Sequence, residues 1–524
     1  MRSAVGIAAI GVLVLVACAP AEESGPLEAP IEDQASDPAF PTGSDTGTET
    51  AARPEPVSTD GACPAGDVPG HGFSDVADGA AHETAIGCVV WWRVARGVAA
   101  DRYSPSGIVS RGQMASFLAD LVWQSAGRLP GRPPDAFTDD DRSIHETAVN
   151  ALAAVEVVSG TSPGRYRPDA AVTRGQLASF LVRTHRHRTG EELTSSADHF
   201  RDDDGTTHEG DINAAAEAGL VAGREDGTYG PNDPVSRAQM ATFLARGLEI
   251  LVRADRVSPP DAILAGAGDI GVCGRGVDEQ TAALLDHVPG TVATFGDNAY
   301  DRGTAREFAN CYDPSWGRHK DRTRPSIGNH EVLTDRGGPY YDYFGAAAGT
   351  RGEGWYSYDL GDHWHVVVLN SNCGLVDCQA GSPQERWLRS DLAANSDRHV
   401  LAYWHAPRFS TGAHGSDTAV GPLWDALYEA GAELVLTGHE HSYERFARLG
   451  KDGQPDPAGI RQIIVGTGGT WLRSFPREPM EGTQIRSANA QGVIVVTLRR
   501  DGYTWHFVPT EPGAFTDRGS TATR

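Results

Sequence analysis

The chain has few basic residues and no long apolar run. Its 45 lysines and arginines face 70 aspartates and glutamates, a formal net charge of −25. Such a chain repels nucleic-acid phosphates, so we expect no nucleic-acid partner, and an anionic substrate would need local positive charge such as metal ions. The apolar stretch from Ala4 to Val16 has 13 residues, fewer than the roughly 20 of a membrane helix, and no later run is longer. At 524 residues the chain predicts two or three domains.

The N-terminus has the pattern of an export signal. Arg2 precedes the apolar stretch, which predicts a signal peptide over residues 1–17. The sequence Leu15-Val16-Ala17-Cys18 resembles a bacterial lipoprotein lipobox. This resemblance implies cleavage before Cys18 and a lipid on its sulfur, and therefore a membrane-anchored lipoprotein on the extracellular side of a bacterial cell envelope. The alternative is an ordinary signal peptide with an incidental cysteine.

Residues 18–62 are poor in apolar side chains. From Ala19 to Ala62, ten acidic residues accompany one basic residue, Arg53, among prolines, serines, threonines and glycines. Because this composition cannot fill a core, we predict a disordered linker that holds the folded part away from a membrane.

The six cysteines that follow Cys18 suggest disulfides. An even number in an exported chain predicts three bonds, although six cysteines allow 15 pairings. Proximity in sequence is the only basis for a choice, and buried free thiols are the alternative. The pairing predicted in this way is Cys63 with Cys88, Cys273 with Cys311, and Cys373 with Cys378.

A unit of 63 residues is repeated after the linker. The residues that recur at this spacing are His82, His145 and His208; Gly97, Gly160 and Gly223; and Arg111, Arg174 and Arg237. They predict three copies, about 73–121, 137–183 and 200–246, in a mostly α-helical domain of residues 63–250. Each copy contains a capping box before an apolar run, which predicts two short helices and a loop per copy.

These units resemble S-layer homology repeats, which attach exported bacterial proteins to cell-wall polysaccharide. By position, the resemblance implies that Arg111, Arg174 and Arg237 line the binding groove. In this chain Gln113, Gln176 and Gln239 replace the glutamate of the family motif, which leaves the identity of the wall polymer open. A purely structural role for the three arginines is the alternative.

A second domain is predicted for residues 262–510, after a linker of residues 251–261 and before a C-terminal tail of residues 511–524. Apolar runs alternate with helix-like segments, which predicts an α/β fold, a two-sheet sandwich flanked by helices. Five polar patches each follow an apolar run: Gly268-Asp269-Ile270-Gly271, Gly296-Asp297-Asn298-Ala299-Tyr300, Gly328-Asn329-His330-Glu331, Tyr403-Trp404-His405 and Thr437-Gly438-His439-Glu440-His441. We expect these loops to meet at one edge and to form a two-metal site. For His439 and His441 to face one site, the chain should turn at Gly438.

The order of these patches resembles the calcineurin-like metallophosphoesterases, and within them the purple acid phosphatases. Most of that superfamily has Asp-x-His in the first patch, but here Gly271 takes the histidine position. In the purple branch the loss is matched by a tyrosine three residues after the second aspartate, which is the position of Tyr300.

The resemblance implies a ligand set for two ions. The first metal would be held by Asp269, Tyr300 and His441, with Asp297 bridging, and the second by Asn329, His405 and His439. Hard oxygen donors suit Fe(III) at the first position, and the second set suits a divalent Zn, Fe or Mn. His330 and His414 are the implied catalytic residues that contact the phosphoryl group and the leaving oxygen.

We therefore expect a secreted, envelope-attached phosphatase that hydrolyses phosphate monoesters through a metal-activated hydroxide. A phosphodiesterase or nucleotidase with the same site is one alternative. A wall-binding envelope protein with an idle phosphoesterase fold is another, of a different class.

Overall fold

The computed structural model describes residues 54–99, 101–131, 133–511 and 513–524. The predicted signal peptide, the predicted lipidation site Cys18 and residues 18–53 of the predicted linker lie outside these ranges. Within them, no helix is long and apolar enough to cross a membrane.

Residues 54–62 were predicted to belong to the disordered linker, and this prediction is wrong. The backbone of Val57 donates a hydrogen bond to Gly219 (3.1 Å), and the buried Ala62 donates to Glu249 (2.6 Å). Cys63 then forms a disulfide with Cys88. The segment is held because a backbone carbonyl and a side-chain carboxylate of the helical domain accept its hydrogen bonds.

Three helix pairs form the N-terminal domain. Their bounds are α1 Glu83–Trp91, α2 Arg111–Gln124, α3 Glu146–Ala153, α4 Arg174–Thr189, α5 Glu209–Glu217 and α6 Arg237–Arg253. The second helix of each pair begins with the predicted capping box, in which a serine or threonine side chain accepts from the backbone of the glutamine three residues later. The local sequence therefore sets where these helices start.

The three pairs close into a ring through backbone hydrogen bonds between the loops that precede α2, α4 and α6. Val109 donates to Val235, Val235 to Val172 and Val172 to Val109, at 2.9, 3.1 and 3.0 Å. All three valines are fully buried. Each pair therefore contacts both of the others, and the first pair is bonded directly to the third.

The arginines Arg111, Arg174 and Arg237 lie in the seams of this ring. Their exposed fractions are 3, 8 and 6%. Each Nε donates to the carbonyl of a tyrosine in the next pair, Tyr166, Tyr229 and Tyr103 in turn, at 2.7–2.8 Å. Each guanidinium also lies over that tyrosine's ring. The geometry favours the structural role for these arginines, and their part in wall binding stays a prediction.

Arg237→Ala is expected to destabilise the helical domain by about 2–3 kcal/mol, because the carbonyls of Tyr103 and Arg96 lose their donor. Denaturant unfolding followed by circular dichroism measures the change. The exposed Arg201, which pairs only loosely with Asp226 (3.7 Å), is the control, and Arg201→Ala should leave the transition nearly unchanged. Equal stability of the two variants would contradict the structural role of Arg237.

Fifteen strands and five helices form the C-terminal domain in the described residues. The strands are β1 Pro260–Ala267, β2 Gly271–Val272, β3 Thr291–Phe295, β4 Ala299–Tyr300, β5 Thr323–Ser326, β6 Tyr356–Leu360, β7 Trp364–Val368, β8 His399–Trp404, β9 Leu434–Thr437, β10 Tyr443–Leu449, β11 Ile460–Val465, β12 Thr483–Ser487, β13 Gly492–Arg499, β14 Gly502–Pro509 and β15 Asp517–Ala522. The helices are α7 Val277–Leu285, α8 Ala305–Glu307, α9 Gly338–Phe344, α10 Pro383–Ala394 and α11 Gly421–Glu429. Strands and helices alternate along much of the domain, as the sequence predicts.

Two sheets pack face to face. One has the order β15-β14-β13-β1-β3-β5 and the other β12-β10-β11-β9-β8-β7-β6, while β2 and β4 pair separately. Leu264 and Val292 of the first sheet share one buried cluster with Val366 and Leu436 of the second. The α/β two-sheet fold is therefore confirmed. Each sheet contains a run of parallel strands, which are β1, β3 and β5 in the first and β7, β8, β9 and β11 in the second.

The predicted C-terminal tail is wrong in part, because residues 517–522 form β15 at the edge of the first sheet. It pairs antiparallel with β14, from Gly502 opposite Ala522 to Phe507 opposite Asp517. The Asp517 carboxylate also accepts from Tyr443 (2.7 Å) and Arg445 (2.6 Å) of the second sheet. One face of the strand forms these ionic contacts instead of packing into a core, which accounts for its polar sequence.

The helical domain packs on the first sheet through polar side chains. Arg499, only 2% exposed, donates to Gln124 at the end of α2 (3.1 Å), and Thr504 donates to the same oxygen (3.4 Å). Arg518 of β15 pairs with Asp120 (3.0 Å).

The predicted linker of residues 251–261 is shorter in the structure, since α6 runs to Arg253 and β1 begins at Pro260.

Candidate metal centre

The site lies where the parallel strands of both sheets end. Asp269 follows β1, Asp297 follows β3 and Asn329 follows β5 in the first sheet, while His405 follows β8 and His439 follows β9 in the second. Loops at the carboxyl ends of parallel strands meet at one edge of a sheet. Because the two sheets are stacked, both sets of loops reach the same place.

Three of these residues adopt a left-handed backbone conformation, with φ of 61° at Asp269, 50° at Asp297 and 69° at His439. Non-glycine residues rarely take this conformation, and it is concentrated at functional sites. The turn predicted at Gly438 therefore occurs at His439 itself. Gly438 is needed for space, because a Cβ there would lie 2.7 Å from the Asp269 Oδ2 atom.

The first group of side chains consists of Asp269, Tyr300 and His441. The Tyr300 hydroxyl donates to Asp269 Oδ1 (2.7 Å) and lies 3.3 Å from His441 Nε2. His441 Nε2 is also 3.3 Å from Asp269 Oδ1. Two oxygens and one nitrogen thus surround one point.

The second group consists of Asn329, His405 and His439. His405 Nε2 lies 3.0 Å from Asn329 Oδ1 and 3.1 Å from His439 Nδ1. Asp297 connects the groups, because its Oδ2 is 2.9 Å from the Tyr300 hydroxyl and 3.1 Å from His405 Nε2. All seven residues predicted as ligands are therefore brought together.

This arrangement fits metal ions on its donor chemistry. Asp269 and Asp297 are at most 1% exposed, and in the described residues no lysine or arginine pairs with either carboxylate. Buried carboxylates need a compensating positive charge. His405 and His441 direct Nδ1 to the backbone carbonyls of Phe295 and Trp471, both at 2.8 Å. Their Nε2 atoms thus face the site, as is usual for metal-binding histidines.

Charge coupling in the site is strong. Burial opposes ionisation of Asp297, but the His405 charge holds the pKa of that carboxyl well below its usual range. Burial likewise opposes the charge on His405, yet Asp297 raises its pKa to about 9. Burial and the carboxylates of Asp269 and Asp297 raise the pKa of Tyr300 well above its ordinary value. A phenolate would therefore need a cation beside it.

The two histidines predicted as catalytic both lie at the rim. The His330 ring lies 4.4 Å from the Tyr300 ring in a tilted arrangement, and His330 Nδ1 is 2.6 Å from the Asp301 carbonyl. The His414 ring lies 4.3 Å from the ring of His439. Both side chains are partly exposed, at 28 and 40%, which suits contact with a substrate.

Three further residues support the site and were missed by the sequence analysis. Glu331 is fully buried and accepts from the backbones of Asn298 and Gly328, both at 2.8 Å, so it joins two of the ligand loops. Glu440 lies 3.5 Å from His414 Nδ1, and Arg473 donates to His414 Nε2 (2.8 Å). Glu331 and Glu440 lie in the polar patches that contain the predicted ligands, so their adjacency to those ligands could have indicated a role in the site. Nothing in the sequence marks Arg473.

Fold and site together define the second domain as a metallophosphoesterase domain. A family model of calcineurin-like phosphoesterases matches residues 262–443, and one of the S-layer homology domain matches residues 137–178 and 199–241. The chain thus contains a calcineurin-like phosphoesterase domain preceded by an S-layer homology domain. The phosphoesterase family implies a dinuclear metal centre.

Several of the curated relatives are purple acid phosphatases of Arabidopsis thaliana. Purple acid phosphatase 15 is 26% identical over 244 residues, which cover 39% of this chain and 44% of that protein. Purple acid phosphatase 22 is 32% identical over 164 residues, 29% of this chain and 36% of that protein. The chain spans about half the length of the first curated relatives it matches. The solved structure of purple acid phosphatase PPD1 from yellow lupin (Lupinus luteus) seeds gives a TM-score of 0.41 at 15% identity, covering 50% of this chain and 53% of that chain.

Proposed function

We propose that this protein is an envelope-attached phosphatase that hydrolyses phosphate monoesters at a dinuclear metal centre. The observation that carries the proposal is the convergence of seven donor side chains from both sheets around two adjoining points. A site with only a structural role would have no need for two buried carboxylates that no lysine or arginine of the described residues neutralises.

In this proposal Asp269, Tyr300 and His441 hold one ion, and Asn329, His405 and His439 hold the other. Asp297, whose Oδ2 lies between the groups, bridges them. The oxygen-rich first group suits Fe(III), and the second suits a divalent Zn, Fe or Mn. Bound there, two cations would supply Lewis acidity toward the phosphate ester and activation of the attacking water.

The protein's own residues would position the substrate and move protons. His330 is oriented by the Asp301 carbonyl, and its Nε2 lies 3.8 Å from Asp297 Oδ2, so it can contact a phosphoryl oxygen. His414 is held between Glu440 and Arg473. When His414 is protonated, its Nε2 no longer accepts from Arg473 and can deliver the proton to the leaving oxygen, while the Arg473 guanidinium adds positive charge for an anionic substrate.

The attachment part of the proposal rests on the helical domain. Residues 73–121 carry the same helix pair, capping box and seam arginine, Arg111, as the two matched repeats, so we propose that they form a third S-layer homology repeat. The domain would bind cell-wall polysaccharide, and a lipid on Cys18 would add a membrane anchor.

A substrate panel tests the activity. The purified protein is assayed with a nitrophenyl phosphate monoester, the matching diester and a nucleoside monophosphate, before and after metal removal by a chelator. We expect hydrolysis of the monoester to be fastest, to stop on chelation and to return with iron plus zinc. His405→Asn should abolish it, whereas the exposed His363→Asn should not.

Each alternative predicts a different outcome. Faster hydrolysis of the diester or the nucleotide would replace the proposed substrate class. A protein that binds two metal ions and wall polymer but hydrolyses none of the three substrates would be the envelope protein with an idle site.

A further inference from the structure

Two acidic clusters lie in the helical domain, far along the chain from the phosphoesterase motifs. One consists of Asp135, Asp140 and Asp141, and the other of Asp198, Asp203 and Asp204. In each cluster, one carboxylate oxygen from every member lies within 4.8 Å of the others. The clusters are 63 residues apart, so they occupy the same place in the second and third helix pairs, in the loops before α3 and α5.

One carboxylate of each cluster is buried and unpaired within the described part of the chain. Asp140 and Asp203 are 0% exposed, and neither oxygen of either carboxylate has a hydrogen-bond partner among the described residues. The adjacent Asp139 shows the ordinary case, since its carboxylate accepts from the backbones of Tyr166 (2.7 Å) and Arg167 (3.0 Å). Buried polar groups are almost always paired, and an unpaired buried charge is strongly unfavourable.

Packing alone does not account for these aspartates. The first helix pair has Val76 at the same place after its Phe-x-Asp motif, and this valine is buried in the core. Ala77 and His71 stand where the other copies have the remaining two carboxylates. The same loop therefore folds around an apolar side chain in one copy, so a carboxylate at this position serves something other than the fold.

Electrostatics point to a cation. Burial, reinforced by Asp135, raises the pKa of Asp140 to about 6, and burial with Asp198 does the same for Asp203. In the third pair the buried Thr206 hydroxyl, three residues after Asp203, also lacks a partner. Each loop thus offers several oxygen atoms around a carboxylate with which no lysine or arginine of the described ranges forms an ion pair.

We propose that each cluster binds one calcium ion, giving the helical domain two cation sites separate from the phosphoesterase centre. The donors are all oxygens, which excludes a preference for softer metals. Calcium accepts six to eight oxygen ligands in flexible geometry, including backbone carbonyls and water, whereas magnesium requires a near-ideal octahedron that a short irregular loop rarely provides.

Calorimetric titration of the full chain with Ca²⁺ tests the proposal. The protein keeps its phosphoesterase metals and is dialysed into calcium-free buffer beforehand. We expect two ions to bind with a dissociation constant on the order of 10⁻⁴ M, the range of extracellular calcium modules. Asp140→Val and Asp203→Val, which reproduce the residue of the first copy, should each remove one ion, and the double variant both.

The control is Asp67→Val, an exposed aspartate of the same domain, which should retain both ions. Phosphatase activity should be unchanged in all variants, because the clusters are separate from the catalytic loops. If a valine variant fails to fold, Asp135→Asn and Asp198→Asn at exposed positions provide the same test through a several-fold weaker affinity. Absence of calcium binding by the wild type, or undiminished binding by the double variant, would overturn the proposal.

Discussion

Asp297→Asn is expected to lower phosphate-monoester hydrolysis by about a thousandfold or more and to reduce the bound metal from two ions toward one. Asp297 Oδ2 lies between the two donor groups, 2.9 Å from the Tyr300 hydroxyl and 3.1 Å from His405 Nε2. An amide of the same size keeps the packing but carries no charge to bridge two cations. Loss of a group that merely supports a metal ligand costs about 10- to 100-fold, so loss of a shared ligand should cost more.

The measurement is the steady-state rate with metal analysis of the same sample. Asp397→Asn is the control, since Asp397 is an exposed aspartate, and it should retain full activity and both ions. Folding of the Asp297→Asn variant must be checked separately, because the backbones of Gly328 and His330 pack against Asp297. A folded Asp297→Asn protein with two ions and undiminished activity would refute the proposed centre.

Tyr300→Phe is expected to remove visible absorption from the iron-loaded protein and to weaken its preference for iron. We propose that the Tyr300 phenolate binds Fe(III), and transfer of charge from phenolate to iron absorbs visible light. The substitution removes one oxygen and keeps a ring that is 4% exposed, so packing should change little. Activity should fall but persist, because Asp269, His441 and Asp297 remain to hold a divalent ion.

A visible spectrum with metal analysis of both proteins, purified with iron supplied, gives the result. Tyr428→Phe is the matched control, since this half-buried tyrosine donates only to Asp456, and it should keep the colour. A colourless, iron-loaded and fully active wild type would make Tyr300 a neighbour of the site, and the centre would then be a dinuclear phosphoesterase site of another kind.

Elements with a strong local signal could be predicted from the sequence. The segment Gln384 to Ala394, helix-like in the sequence, lies in α10, Pro383–Ala394, and Ser110 caps α2 as its motif indicates. The seven site residues could be named because each follows an apolar run in a family-like order. Such signals lie within a few residues of the feature they specify.

Features that depend on distant contacts could not be predicted. Strand β15 is polar and its sequence resembles that of a tail. It is ordered by pairing with β14, by the contacts of Asp517 with the other sheet and by the ion pair of Arg518 with Asp120. The burial of Arg174 depends on carbonyls of Tyr229 and Ala222, about 50 residues away. The left-handed backbone conformation of Asp269 likewise depends on distant contacts, because it directs the Asp269 side chain toward donor groups from the loops of both sheets.

The hydrogen bonds that link Val109, Val172 and Val235 have a consequence for how this protein is made. In an open array of repeats, each unit stabilises only its neighbours, and folding can spread from one end as the chain is synthesised. Here the first unit contacts the third across more than 120 residues, so its contact order is high and the first unit lacks part of its stabilisation until the last has emerged. The N-terminal domain should therefore fold late and as one cooperative unit, and a chain truncated after the second unit should be a target for proteolysis.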